Sequence, residues 1–182
     1  MSMPNPAPYT SKDYWSLPDG ERAELIDGIL YDMTSPNRKH QEIVGGIYHT
    51  IATHIDRHNG PCKVYVAPFA VNLDACDQNW VEPDVLVVCD PAKLTDRGCE
   101  GAPDFIAEVV SPSSRKRDYA LKMCLYENAG VREYWIVDPE AARTTVYRYE
   151  ATGPMPLVYP FAVPVPVGIF DGKLEICVDE LG

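Results

Sequence analysis

Phe105-Ile106-Ala107-Glu108-Val109-Val110 is an apolar run broken by one acid, and Pro83-Asp84-Val85-Leu86-Val87-Val88 is a second run opened by another. Both are short and rich in β-branched residues, so they read as strands. Their apolarity is nearly continuous, which is the composition of strands covered on both faces. Glu133-Tyr134-Trp135-Ile136-Val137 is a third run of the same kind. A sheet built from such strands needs helices over it, which predicts an α/β class, mixed α+β, with helices flanking a central mixed sheet.

The flanking sequence supplies those helices. Ile43, Val44, Ile47, Ile51 and Ile55 recur at helical spacing and predict one long amphipathic helix over 37–58. Residues 114–129 predict a second. Residues 11–17 read as a short helix after the prolines at 4, 6 and 8, and 22–33 read as a hairpin turning at Asp27-Gly28, with Glu24 on its first strand. Further strands are expected over 62–67, 69–73 and 144–149. Pro154, Pro156, Pro160, Pro164 and Pro166 cannot donate to a central ladder, so the segment from about 151 to 182 is expected to wrap an edge or the surface.

With 182 residues, 46% of them apolar, the chain is long enough for one real core, and a single domain spanning 1–182 is expected. Sixteen basic residues stand against 27 acidic ones, and the net charge of −11 opposes indiscriminate adhesion to nucleic acid or anionic membrane. Any nucleic-acid contact must be local. No window approaches the roughly 20 apolar residues of a spanning helix, and residues 1–13 lack the apolar core of a secretion signal. A cytoplasmic protein with no membrane partner is therefore expected. Cys62, Cys76, Cys89, Cys99, Cys124 and Cys177 form no Cys-x-x-Cys pair and read as reduced cysteines. His54 and His58 are four apart, but Ile55 stands where a zinc protease motif has Glu.

Each polar residue in these runs has an ordinary reading. Glu108 would sit on an exposed face or pair with an arginine, Asp84 would be a turn or cap, and Lys122 would carry its ammonium to water past apolar neighbours. Together they read differently. An ionised Glu108 inside a doubly covered strand needs a compensating charge, and at 100° per residue Lys122 falls in the middle of the apolar arc of its helix. Two carboxylates on adjacent strands plus one ammonium make a site for a divalent cation and a phosphate. Arg38-Lys39, with His40 opening the long helix, and Arg115-Lys116-Arg117 are two basic spots that fit a nucleic-acid backbone.

The motifs in order are Glu24-Leu25-Ile26-Asp27-Gly28, His40, Glu82-Pro83-Asp84-Val85, Pro103 to Ser113, Lys122 with Tyr126, and Gly130-Val131-Arg132-Glu133-Tyr134-Trp135-Ile136-Val137-Asp138. Over about residues 9–148 this series resembles the Uma-type "putative restriction endonucleases", a bacterial branch of the PD-(D/E)XK nuclease superfamily. The resemblance implies a restriction-endonuclease-like core and magnesium-dependent hydrolysis of phosphodiester bonds in DNA. It matches Asp84 to the Asp of the Pro-Asp motif and Glu108 to the acid of the second motif. Val110 stands where that motif has its lysine, so the role passes to Lys122 on the following helix. Glu24 matches the upstream acid, and His40 a recurring histidine.

Magnesium takes oxygen ligands and keeps several waters, so Asp84, Glu108 and the Val109 carbonyl suffice to hold it, with manganese as a substitute. Lys122 would orient the attacking water or neutralise a phosphate oxygen. Two other functions fit the same residues: an inactive nucleic-acid- or protein-binding module of the same fold, and a hydrolase of a small phosphorylated substrate. A homodimer is the expected assembly for cutting both strands.

Overall fold

The computed structural model describes residues 8–74, 77–149 and 156–181; Pro4, Pro6, Cys76 and Pro154 lie outside them. Short helix α1 (Ser11–Tyr14) leads to β1 (Ala23–Ile26) and β2 (Ile29–Asp32), joined where Asp27 and Gly28 both take positive φ, 50° and 75°. Helix α2 (Arg38–His58) starts at Asn37, whose side chain accepts from the His40 N–H. It stops at Asn59, which is left-handed with φ 48°. Its buried residues are the five of the predicted stripe.

Then come β3 (Lys63–Val66), β4 (Val71–Asn72), β5 (Trp80–Val81), β6 (Val85–Val88), β7 (Leu94–Thr95), β8 (Gly98–Glu100) and β9 (Phe105–Val109). A π-helical turn, Arg117–Lys122, runs into α3 (Met123–Ala129), which Gly130 ends at φ 90°. The remaining strands are β10 (Glu133–Asp138), β11 (Arg143–Arg148), β12 (Leu157–Pro160), β13 (Val165–Pro166) and β14 (Glu175–Ile176).

The main sheet has the order β12-β11-β10-β9-β6-β3. Only β9 and β10 run parallel in it, joined by the crossover through α3, with Glu108 beside Ile136. The three continuous apolar runs are thus three of its four inner strands, β6, β9 and β10, and every residue of all three is buried. One face packs Val85, Val87, Phe105, Ala107 and Trp135 against the isoleucines of α2. Leu86, Val88, Ile106, Tyr134 and Ile136 fill the other face with Tyr126 of α3 and Ile26, Val71 and Val81 of a second sheet.

That second sheet, ordered β2-β1-β5-β4-β8-β7, goes beyond what the sequence predicts. Four of its strands have two or three residues, too few to show a period. The strand expected over 69–73 contracts to Val71–Asn72. The C-terminal segment pairs β12 with β11 at the edge of the main sheet and lays Phe161, Val165, Val167, Ile176 and Val178 into the core under α2. Leu181 lies so close to α2 that a Cβ on Gly46 would sit 2.6 Å from its own.

Two cysteines correct the reduced reading. Cys62 and Cys89 flank the paired strands β3 and β6, where Lys63 stands opposite Val88, and they form a disulfide. Register brings them face to face, a relation that spacing along the chain does not reveal. Cys99, Cys124 and Cys177 are free.

Candidate active site

Strand pairing assembles the first two acids. β6 and β9 are antiparallel with Val85 opposite Ala107, so Asp84, just before β6, meets Glu108. The Asp84 N–H donates to Glu108 Oε2 at 3.3 Å, and Asp84 Oδ2 accepts from the Val109 N–H at 2.8 Å. Alternation puts Glu108 on the face of Ile106, toward α3. His40, from the first turn of α2, reaches round the strand end and places Nε2 3.1 Å from Asp84 Oδ2.

The other two predicted catalytic residues arrive from separate layers. Glu24 shares the face of Ile26 on β1, which looks across at the main sheet. Lys122 ends the π-helical turn, and its Nζ lies 2.7 Å from Glu24 Oε1 and 2.7 Å from Glu108 Oε1. The Tyr126 hydroxyl donates to the same Glu108 oxygen at 2.8 Å. Asp84, Glu108, Lys122, Glu24 and His40 therefore form one connected group. Asp118, which the sequence reading passed over, completes it at 3.6 Å from the lysine. Its signal was the spacing Asp118, Lys122, Tyr126, four residues apart each time, which lines a helix face with polar groups.

Water is nearly excluded here: Glu24 is 0% exposed, Asp118 2%, Lys122 3% and Glu108 4%. Burial raises the Glu108 carboxyl to about 8, although Lys122 opposes the shift. Asp118 is raised for the same reason. Burial alone would lower Lys122, but Glu108, Glu24 and Asp118 hold its proton well above the usual range. His40 is likewise raised, because its hydrogen bond to Asp84 and that residue's charge outweigh desolvation.

The basic residues are less free than the sequence suggests. Arg115 pairs with Asp138 and Glu140, and Arg38 with Glu42. Arg117 turns inward, 3.5 Å from Glu24 Oε2 and with its guanidinium over the Tyr31 ring. Lys39 and Lys116 are exposed. A shallow depression of about 410 Å³ beside the π-helical turn is lined by Pro112, Arg115, Lys116, Tyr119 and Arg143.

Among the described residues no three His, Cys, Asp or Glu side chains converge on one point as a closed metal centre requires. An open magnesium site asks for less, one or two carboxylates with waters completing an octahedron. Asp84 and Glu108 meet that need, and Glu24 Oε2 is a buried carboxylate oxygen without a hydrogen-bond donor. The donor set is all oxygen and fits a hard divalent cation.

The fold is a mixed α+β one, with a buried group of acids around one lysine against the inner strands of its main sheet. The chain belongs to the Uma2 family, described as "Putative restriction endonuclease", whose profile matches residues 11–162. It is 26% identical over 140 residues to the "uncharacterized protein slr1290" of Synechocystis sp., a match covering 76% of this chain and 72% of that protein. Its fold is that of a "putative nuclease belonging to DUF820" from Anabaena variabilis, at TM-score 0.78 and 20% identity over 96% of this chain and 97% of the other.

Proposed function

We propose that this protein is a magnesium-dependent endonuclease that hydrolyses phosphodiester bonds in DNA, with manganese able to substitute. The observation that carries the reading is the ammonium of Lys122 held between Glu24 and Glu108, with Asp84 joined to the same Glu108 through its amide. Asp84, Glu108 and the Val109 carbonyl are the groups to hold the cation. When bound, it supplies a more acidic water and offsets charge developing on the phosphate oxygens.

Lys122 faces the same point and either orients the attacking water or neutralises a phosphate oxygen. Glu24 fixes the ammonium and positions water. His40, hydrogen-bonded to Asp84, holds that carboxylate in place. Lys39 and Lys116 hold the flanking backbone by charge. Cutting both strands calls for two such sites, so the reading includes a homodimer working in the cytoplasm.

The test incubates supercoiled, linear double-stranded and single-stranded DNA with the protein in magnesium, manganese or chelator, alongside Asp84→Ala and Lys122→Ala. Metal-dependent cleavage lost in both variants is expected. A folded, cation-binding protein that cuts none of these substrates overturns the reading. One observation favours a second possibility: Arg38, Arg115 and Arg117 are already engaged by carboxylates, which suits a smaller phosphorylated substrate. A panel of nucleotides and phosphodiesters separates the two.

A further inference from the structure

The lysine reaches the carboxylates from a helix with an abnormal turn. Residues 117–122 are π-helical, with one residue more per hydrogen-bonded turn than the α-helix that follows. Such a turn is rare and occurs mostly as a single-turn bulge within an α-helix, so the contacts that hold it matter.

Two contacts do so. The Tyr134 hydroxyl, on the buried face of β10, donates to the Asp118 carbonyl at 3.2 Å, so a side chain of the sheet caps a backbone oxygen of the wide turn. The Asp118 carboxylate then faces Lys122 at 3.6 Å, and its Oδ1 is buried with no hydrogen-bond donor. Tyr134 is fully buried and packs edge-on against Tyr126, 4.8 Å between ring centres. Tyr126 in turn donates to Glu108. Strand, wide turn and helix are thus tied at the residue that must bring the ammonium back to the acid.

We propose that Asp118 and Tyr134 are positioning residues for the displaced lysine: Tyr134 holds the π-helical turn through the Asp118 carbonyl, and the Asp118 carboxylate fixes the direction of the Lys122 ammonium. This rests on Lys122 being the catalytic lysine. It explains how the role survives away from the second position after Glu108, which Val110 occupies. A regular α-turn would keep Asp118, Lys122 and Tyr126 within about 80° of one face, so the wide turn changes the angle at which Asp118 meets the ammonium, not the face it lies on.

The variants are Asp118→Asn and Tyr134→Phe, each removing one interaction at nearly constant shape. In steady-state cleavage of DNA with magnesium, kcat is expected to fall by about 10- to 100-fold in each with KM within about twofold, because the loss acts on the transition state. In a Lys122→Ala background neither change should cost more, since both act through that lysine. Full additivity in that background, or a loss confined to KM, overturns the proposal. A second readout is independent of turnover: the ¹⁵N-labelled Lys122 ammonium, assigned with Lys122→Arg, should shift or broaden in both variants while other lysines stay put. If the wild type does not cut DNA, the nuclease reading fails and this signal still decides the positioning. An unmoved ammonium in both folded variants overturns it.

Discussion

Lys122 Nζ lies 2.7 Å from Glu108 Oε1, although the lysine ends a helical turn and the acid sits in the middle layer of the protein. The crossover between parallel β9 and β10 makes the meeting possible, because it returns a helix over the strand it has just left. A single ammonium serves Glu24, Glu108 and Asp118.

Removing that ammonium should therefore cost stability as well as activity. Lys122→Met leaves Glu24, Glu108 and Asp118 buried without their cation, a loss of about 3–5 kcal/mol at neutral pH when one partner of a buried pair goes. Chemical denaturation should show the loss, and part of it should return at pH 5.5 as the acids protonate. Magnesium should restore stability further, since a cation that binds only the folded chain stabilises it in proportion to its excess over Kd.

Glu108 gives the folded protein a pH dependence of definite sign. Its carboxyl keeps a proton up to about 8 when folded and releases it near 4.5 when unfolded, so the folded state binds more protons between those values. The resulting stability is fully present below about 4.5 and is lost as pH rises through about 8. Asp118 and His40, also raised, act in the same direction. Without divalent cations, melting temperature should fall from pH 5 to pH 8.5, and Glu108→Gln should flatten the slope. Cation binding must displace this proton, so calorimetric affinity for magnesium should rise over the same interval.

Most of this site could be read from the chain because its acids interrupt apolar runs, and an interruption stands out where packing leaves no room for charge. The main sheet and α2 were legible for the same reason: Ile43, Val44, Ile47, Ile51 and Ile55 repeat over several turns and all are buried. Elements without length were not. Leu94–Thr95 and Trp80–Val81 are held by neighbours rather than by pattern. The inward turn of Arg115 and Arg117 depends on Asp138 and Glu24 arriving from other layers, and a basic run looks the same whether solvated or paired. The disulfide and the π-helical turn belong to this group, since both follow from tertiary register.

Breaking the Cys62–Cys89 bridge tests the first of those. The residues are separated by 27 positions, and a loop of that size corresponds to about 2–4 kcal/mol of stabilisation. Cys62→Ser with Cys89→Ser should lower the denaturation midpoint by that amount, and reductant should lower the wild type to match while leaving the double variant unchanged.

Glu133 anchors the C-terminal segment to the sheet. It is fully buried at the start of β10, accepts from Trp135 Nε1 at 2.8 Å and from the Ile169 N–H at 2.9 Å, and lies 3.7 Å from Arg148 Nε. Glu133→Ala strands two donors and half of an ion pair, a cost of about 2–4 kcal/mol. Native-state hydrogen exchange should then rise first in residues 165–176, with α2 following as its cover loosens.

The last prediction separates phosphate contacts from structural cations. Lys39 and Lys116 are exposed beside the openings of the two helices, whereas Arg115 is committed to Asp138 and Glu140. If the backbone of DNA lies across these spots, Lys39→Glu and Lys116→Glu should weaken binding in fluorescence anisotropy without changing melting temperature. Each lost contact should also reduce the slope of log Kd against log salt by about one. Arg115→Ala should do the reverse, lowering stability because Asp138 is left buried without its partner, with little change in salt slope. Equal salt slopes in wild type and both lysine variants would place the nucleic-acid path elsewhere on the surface.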